Sequence, residues 1–201
     1  YDRAKRQGTA TVRFPLVKGG WWERLIDRPH RFGKMKARFA PGESYAGVWW
    51  GAAALDQLRT AREVWIVEGI FDAIALLQHG ICAVAAMSSN AYPELSLKEL
   101  RDARPNDLPV LVWALDNEPG ARGYTAKHIR RAEKLGYRCK AAQIEQRGEK
   151  KTDWNDLHLR AQAAEDGDSQ WQADIDLALH NGALLLARTA MDKGLIMYCL
   201  L

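Results

Sequence analysis

Two apolar runs that each end abruptly in acid constrain this chain more than any other feature. Glu63-Val64-Trp65-Ile66-Val67 has strand character and passes directly into Glu68-Gly69. Pro109-Val110-Leu111-Val112-Trp113-Ala114-Leu115, the most apolar run of strand type, passes into Asp116-Asn117-Glu118. Around them the pattern alternates. Ile70 to His79 has helical spacing (Ile70, Ile74, Leu77) and stops at Gly80. Ile81 to Met87 reads as a second buried strand, followed by the polar loop Ser88-Ser89-Asn90. Ser96 to Ala103 and Ala121 to Leu135 read as helices, the latter closed by Gly136, and Tyr137 to Ile144 reads as a fourth strand. Near-continuous apolar strands separated by helices imply an α/β fold, with a mostly parallel sheet covered on both faces. Ligands of such sheets bind beyond the carboxyl ends of the strands, so both acidic groups are expected on one rim.

A third acidic group, Lys151-Thr152-Asp153-Trp154-Asn155-Asp156-Leu157, follows the fourth strand, and Asp72 lies one helical turn past Glu68 on the same side. Clustered carboxylates repel one another and have raised pKa values unless a cation neutralises them. Hard oxygen ligands suit Mg²⁺, which bridges readily to phosphates, and two such ions can activate a hydroxyl and stabilise a leaving group. Each acid alone also fits a commoner role. Glu68 can be a surface residue beside a helix start, Asp116 an N-cap, and Asp153 and Asp156 capping residues around a Trp154 anchor. The shared topological position of the two strand-end groups favours one site.

Upstream, residues 1–60 read as a small β-rich lobe. Val12 to Val17 and Trp21 to Ile26 are expected strands joined at Gly19-Gly20, Gly47-Val48-Trp49-Trp50-Gly51 is an aromatic patch, and Ala52 to Thr60 is an expected helix. Residues 1–40 hold eleven Lys or Arg against three acids, in a chain of net charge +4. A basic segment ahead of a mixed-charge domain suits a polyanionic partner, although a solvated basic face gives the same pattern. Trp21, Trp22, Trp49 and Trp50 can stack on bases of a single strand or pack in a core. Residues 61–160 form the expected central domain and residues 161–201 a helical segment, amphipathic from Gln170 to Ala190. His128 and His158 are expected on helices, facing solvent. Cys82, Cys139 and Cys199 form no C-x-x-C pair, so neither a zinc site nor a disulfide framework is encoded and reduced cytoplasmic thiols are expected. No apolar run approaches the roughly 18 residues of a membrane span. The missing initiator Met and the apolar end Leu195 to Leu201 suggest a piece excised from a longer protein.

Val67-Glu68-Gly69-Ile70-Phe71-Asp72-Ala73-Ile74-Ala75-Leu76 resembles the first motif of the TOPRIM domain of bacterial primases, which has Glu-Gly, an Asp one turn later and an apolar helix. Leu115-Asp116-Asn117-Glu118 resembles the second, Asp-x-Asp after an apolar strand, with Glu118 in the place of the second Asp and Pro119-Gly120 displacing the glycine that follows. Lys151 to Leu157 is similar to the acidic segment closing that domain in phage and mobile-element primases. Val12 to Leu16 and the stretch from Lys36 through Trp49-Trp50-Gly51 are similar to the basic lobe ahead of it. The resemblance covers roughly Thr11 to Leu159 and implies the RNA polymerase core of a DnaG-like primase. It implies Mg²⁺ (or Mn²⁺) held by Glu68, Asp72, Asp116, Glu118, Asp153 and Asp156, with Glu68, Asp116 and Glu118 catalytic. It places Arg24, Lys36 and Arg38 against template or nucleotide. Its implied partners are single-stranded DNA, nucleoside triphosphates and a helicase or other domains of the parent protein, without a membrane. A TOPRIM nuclease and a catalytically silent nucleic-acid-binding module are the alternatives.

Overall fold

The structure is a computed structural model that describes residues 10–17, 19–27, 36–116, 119–146 and 151–191. The chain separates into two compact units, residues 1–45 and 46–201.

The first unit is an antiparallel meander. Strands β1 (Thr11–Pro15), β2 (Trp21–Leu25) and β3 (Ala37–Phe39) lie in that order, with the turn after β1 made at Gly19 and Gly20. Register places Arg13 opposite Glu23 and Glu23 opposite Arg38, so one rung of the sheet reads Arg–Glu–Arg. Glu23 is only 1% exposed and accepts hydrogen bonds from Arg13 Nε at 2.7 Å and Arg38 Nε at 2.8 Å. The Arg13 guanidinium also lies over the Trp21 ring, 4.2 Å from its centre. A buried charge tolerates burial only when paired, and here two cations and the Thr11 hydroxyl share that work.

The second unit contains a four-stranded sheet of order β5-β4-β6-β7, parallel throughout: β4 (Glu63–Val67), β5 (Ala83–Ala85), β6 (Val110–Trp113) and β7 (Cys139–Ala141). A 3₁₀ turn (Ala52–Ala54) and the short α1 (Leu55–Leu58) precede it. The strands are joined by α2 (Ile70–Gln78), α3 (Glu94–Ala103) and α4 (Pro119–Glu133), and α5 (Trp154–Ala163) and α6 (Gly167–Met191) follow. Side chains alternate between the two sheet faces. Val64, Ile66, Val84, Leu111 and Trp113 pack with Leu97 and Leu100 of α3 and Ile129 and Ala132 of α4. Trp65, pointing the other way, meets Trp154 of α5 edge to face at 5.5 Å. The α/β sheet covered on both faces, with a helical C-terminal part, is therefore as the sequence implied. The chain passes from β4 to one side and then returns to the other, so β4 and β6 flank the topological switch point where such sheets bind ligands.

The structure corrects several sequence expectations. Trp50 pairs with Ala85 in an isolated antiparallel bridge, which satisfies the open edge of β5 and draws residues 46–60 into the second unit. Trp49 and Trp50 are buried there, so neither offers a face to a base. His128 and His158, expected in solvent, are also buried. His128 Nε2 donates to Ser89 O (2.9 Å), and His158 pairs with His79, whose ring stacks on Trp171. The strand β3 had no sequence signal of its own. The expected apolar tail at 195–201 lies outside the described residues. Among the described residues no helix is long and apolar enough to cross a membrane.

Candidate functional site

Glu68 and Asp116 leave the carboxyl ends of adjacent strands. The register Ile66 opposite Trp113 brings Glu68 level with Leu115, one residue before Asp116. The first two acidic groups thus share one end of the sheet.

Asp72 is where the local fold is most specific. Gly69 caps α2 in an extended conformation, and Asp72, at the third helical position, accepts from the Gly69 N–H through Oδ2 at 3.2 Å. A Cβ on Gly69 would stand 2.7 Å from that oxygen, which is why Glu68 is followed by a residue without a side chain. The other oxygen, Oδ1, accepts from the Asn155 N–H at 3.2 Å, in the first turn of α5. Asp72 therefore ties the start of α2 to the start of α5. Burial pushes its pKa up to about 7, with Asp153 and Asp116 adding to the rise, while the two backbone N–H groups oppose it.

Asp153 is the N-cap of α5, accepting from Asp156 N at 2.8 Å, and Asp156 returns a bond from Asp153 N at 3.3 Å. The capping role that each has as an isolated acid is thus real. Burial raises the Asp153 pKa, the cap hydrogen bond opposes this, and Asp156 and Asp116 raise it further. Trp154 holds the segment in place, donating from Nε1 to Ala114 O at 2.9 Å, just before Asp116. Gln146 and Thr152 bond each other twice at 2.8 Å and close the segment's other end.

The structure thus brings Asp72, Asp116 and Asp153 within electrostatic reach of one another, with Asp156 behind them. Glu118 lies outside the described residues. One partner was not foreseen: Lys151 forms an ion pair with Asp116 across a separation of 35 residues. Its only sequence signal was adjacency to Thr152-Asp153. In the first unit, Arg38 shares the buried rung with Glu23, whereas Arg24 neighbours Glu23 on β2 and so points to the opposite sheet face. The lobe does not gather those two on one surface.

Among the described residues, no three His, Cys, Asp or Glu side chains stand in ready-made metal-ligand geometry. Mg²⁺ does not require such a cage, because it keeps several waters and uses one or two carboxylates together with substrate phosphates. A group of hard oxygens in which burial and neighbouring acids raise the Asp72 and Asp153 pKa values, with Lys151 paired to Asp116, fits that ion.

A family model described as Toprim-like matches residues 65–158. No curated protein sequence matches the chain. Among solved structures, the RNA polymerase domain of Mycobacterium tuberculosis primase DnaG aligns with a TM-score of 0.62 and 19% identity, over 94% of this chain and 62% of that one. The same domain in complex with double-stranded DNA aligns at 0.60 and 19%, over 83% and 52%. A DNA primase domain from Pseudomonas aeruginosa aligns at 0.55 and 22%, over 82% and 51%. This chain therefore spans less than two thirds of each of those chains, and at such identities the likeness is one of fold. Residues 65–158 form a Toprim-like domain, in a chain with the fold of a primase RNA polymerase domain.

Proposed function

We propose that this chain is a primase-type nucleotidyltransferase core that makes short RNA primers on single-stranded DNA. The observation that carries the proposal is the Asp72–Asp116–Asp153 group, short of countercharge at the switch point of a primase-like fold. A primer 3′-hydroxyl attacks the α-phosphorus of a nucleoside triphosphate. The new O3′–P bond forms as the bond to the β-phosphate breaks, and pyrophosphate leaves with the bonding electrons. The hydroxyl proton passes to Glu68 or to water.

Asp116, Asp153, Glu68 and Glu118 are the residues that would hold Mg²⁺ or Mn²⁺, which supplies countercharge to the phosphates and acidifies the attacking hydroxyl. Asp72 and Asp156 act beneath them: their carboxylates fix the helix starts on which the acids sit. Lys151 holds Asp116 in place until nucleotide phosphate competes for it. Arg24, Lys36 and Arg38 of the basic lobe contribute positive charge for the template. In this division of labour residues 1–45 hold nucleic acid, 46–160 carry the chemistry and 161–201 link to further domains or a helicase, in the cytoplasm.

The test is incubation with a single-stranded template, labelled ribonucleotides and Mg²⁺ or Mn²⁺. Primers support synthesis. Shortened template shows a nuclease that uses the same acids to activate water, and retention without product shows a binding module.

A further inference from the structure

After β5 the chain turns through a short polar loop, residues 87–90, on the rim that carries the acids. Val67 lies opposite Ala85, and Ala86 N donates to Val67 O at 2.8 Å, so the chain leaves β5 level with Glu68. In the sheet, β5 flanks β4 on the side away from β6. The loop and Asp116 therefore lie on either side of Glu68, about 10 Å apart at two strand spacings. A nucleotide bridges such a gap from phosphate to sugar.

The loop is held in one shape from within and from behind. Met87 has a φ of +72°, and among the described residues no other non-glycine has a positive φ. A side chain opposes that conformation, which persists where the surroundings fix it and recurs at ligand sites. Ala91 N closes the following turn onto Ser88 O at 3.1 Å. From behind, the buried His128 of α4 donates through Nε2 to Ser89 O at 2.9 Å. Tyr92, Trp113 and Tyr124 surround the imidazole. Burial lowers its pKa, against the pull of the Ser89 carbonyl, so the ring is neutral and spends its single N–H on the loop. On the outer side, Ser88 Oγ donates to Oδ1 of the exposed Asn90 at 2.8 Å, which turns the pair into an amide donor beside a hydroxyl acceptor. Neutral groups of this kind suit a hydroxyl, whereas the acids across Glu68, with a cation, suit phosphates.

We propose that residues 87–90 read the ribose 2′-hydroxyl of the nucleoside triphosphate, through Asn90 and Ser88, with His128 as the positioning residue behind them. The Asn90 amide donates to the 2′-oxygen, and Ser88 Oγ accepts the 2′-hydroxyl proton. A 2′-deoxynucleotide leaves both groups without that partner, which is how a site selects one sugar over the other. The inference rests on the polymerase reading and adds the sugar specificity of the same site.

Equilibrium titration of the full chain with ATP and with 2′-deoxyATP, in Mn²⁺, tests it without requiring synthesis. ATP is expected to bind about tenfold more tightly than 2′-deoxyATP. Asn90→Ala should remove most of that preference, chiefly by weakening ATP, and Ser88→Ala should lower it in the same direction. His128→Phe keeps a ring but removes the donor, and should reduce the preference likewise. His128→Gln returns an N–H and should restore it, whereas a merely structural role would change stability and leave the ratio alone. If His128→Phe does not fold, Asn90→Ala, at an exposed position, carries the decision. Equal affinity for the two sugars, no binding of either, or a preference untouched by Asn90→Ala overturns the proposal. A preference retained in folded His128→Phe overturns the role of His128. Primer synthesis that uses both sugars equally sinks this inference alone, and absent synthesis with the preference retained sinks the polymerase proposal alone.

Discussion

Two buried carboxylates, one in each unit, show opposite solutions to the same electrostatic problem. Glu23 of the meander sits between Arg13 and Arg38 on one rung. Burial pushes its pKa up, but the arginine hydrogen bonds and charges win, and the net shift is downward. Asp72, in the second unit, accepts from two peptide N–H groups and has two other acids nearby, and burial with those acids raises its pKa to about 7. The first charge is fully matched by the protein. The second is matched only in part, which is the condition in which a cation and its phosphate ligands gain most by binding. Pairing thus separates a carboxylate whose charge the protein matches from one whose charge it matches only in part.

The strongest attack on this contrast is functional. Asp116→Asn and Glu68→Gln should lower primer synthesis by at least about a hundredfold with unchanged circular dichroism, because several kcal/mol of charge stabilisation are lost. Full activity in both variants would remove the acid cluster from the chemistry. Next in size, Glu23→Gln should destabilise the meander by about 1–2 kcal/mol, read by hydrogen exchange of β1–β3. The two guanidinium groups lose their shared acceptor, although both are about half exposed and water offsets part of the cost. An effect confined to the second unit would break the assignment. Gly69→Ala should cost about 1–2 kcal/mol, measured by urea denaturation, because its Cβ drives the Asp72 carboxylate off the N-cap. The smallest effect is expected for Trp154→Phe, about 1 kcal/mol, from loss of the bond to Ala114 O.

The two regions should also respond to pH with opposite signs. Glu23, whose folded pKa is lowered, contributes stability above the ordinary carboxylate range and loses it as pH falls through the lowered value. Asp72, raised from 3.8 to about 7, keeps a proton in the folded state that the unfolded chain releases. Without divalent cation, its effect is a fall in stability between those two pH values and a plateau above. Denaturation curves for the second unit across this range check the sign, and saturating Mg²⁺ should flatten the slope. A rise in stability over the same interval in EDTA would show that Asp72 is neutralised by something else.

The sequence by itself determined the sheet and the places where its acids emerge. β4 is observed from Glu63 to Val67 as its apolar run implied, and α2 ends within a residue of the expected His79. Those elements were legible because their signals are local: period, length and a stopping glycine all lie within a few residues. The acids at the strand ends followed, since a parallel sheet delivers every such end to one side. Tertiary structure alone decided what each acid does. The Asn155 N–H that holds Asp72 is 83 residues away, and Lys151 meets Asp116 across 35. β3, with three residues, exists through its partner β2, and the burial of His128, Trp49 and Trp50 depends on helices and edges that no local pattern describes. Periodicity reports how a segment meets the average interior. Hydrogen-bond partners and shifted proton affinities depend on which distant atoms arrive within a few ångströms, and that is settled only when the chain closes on itself.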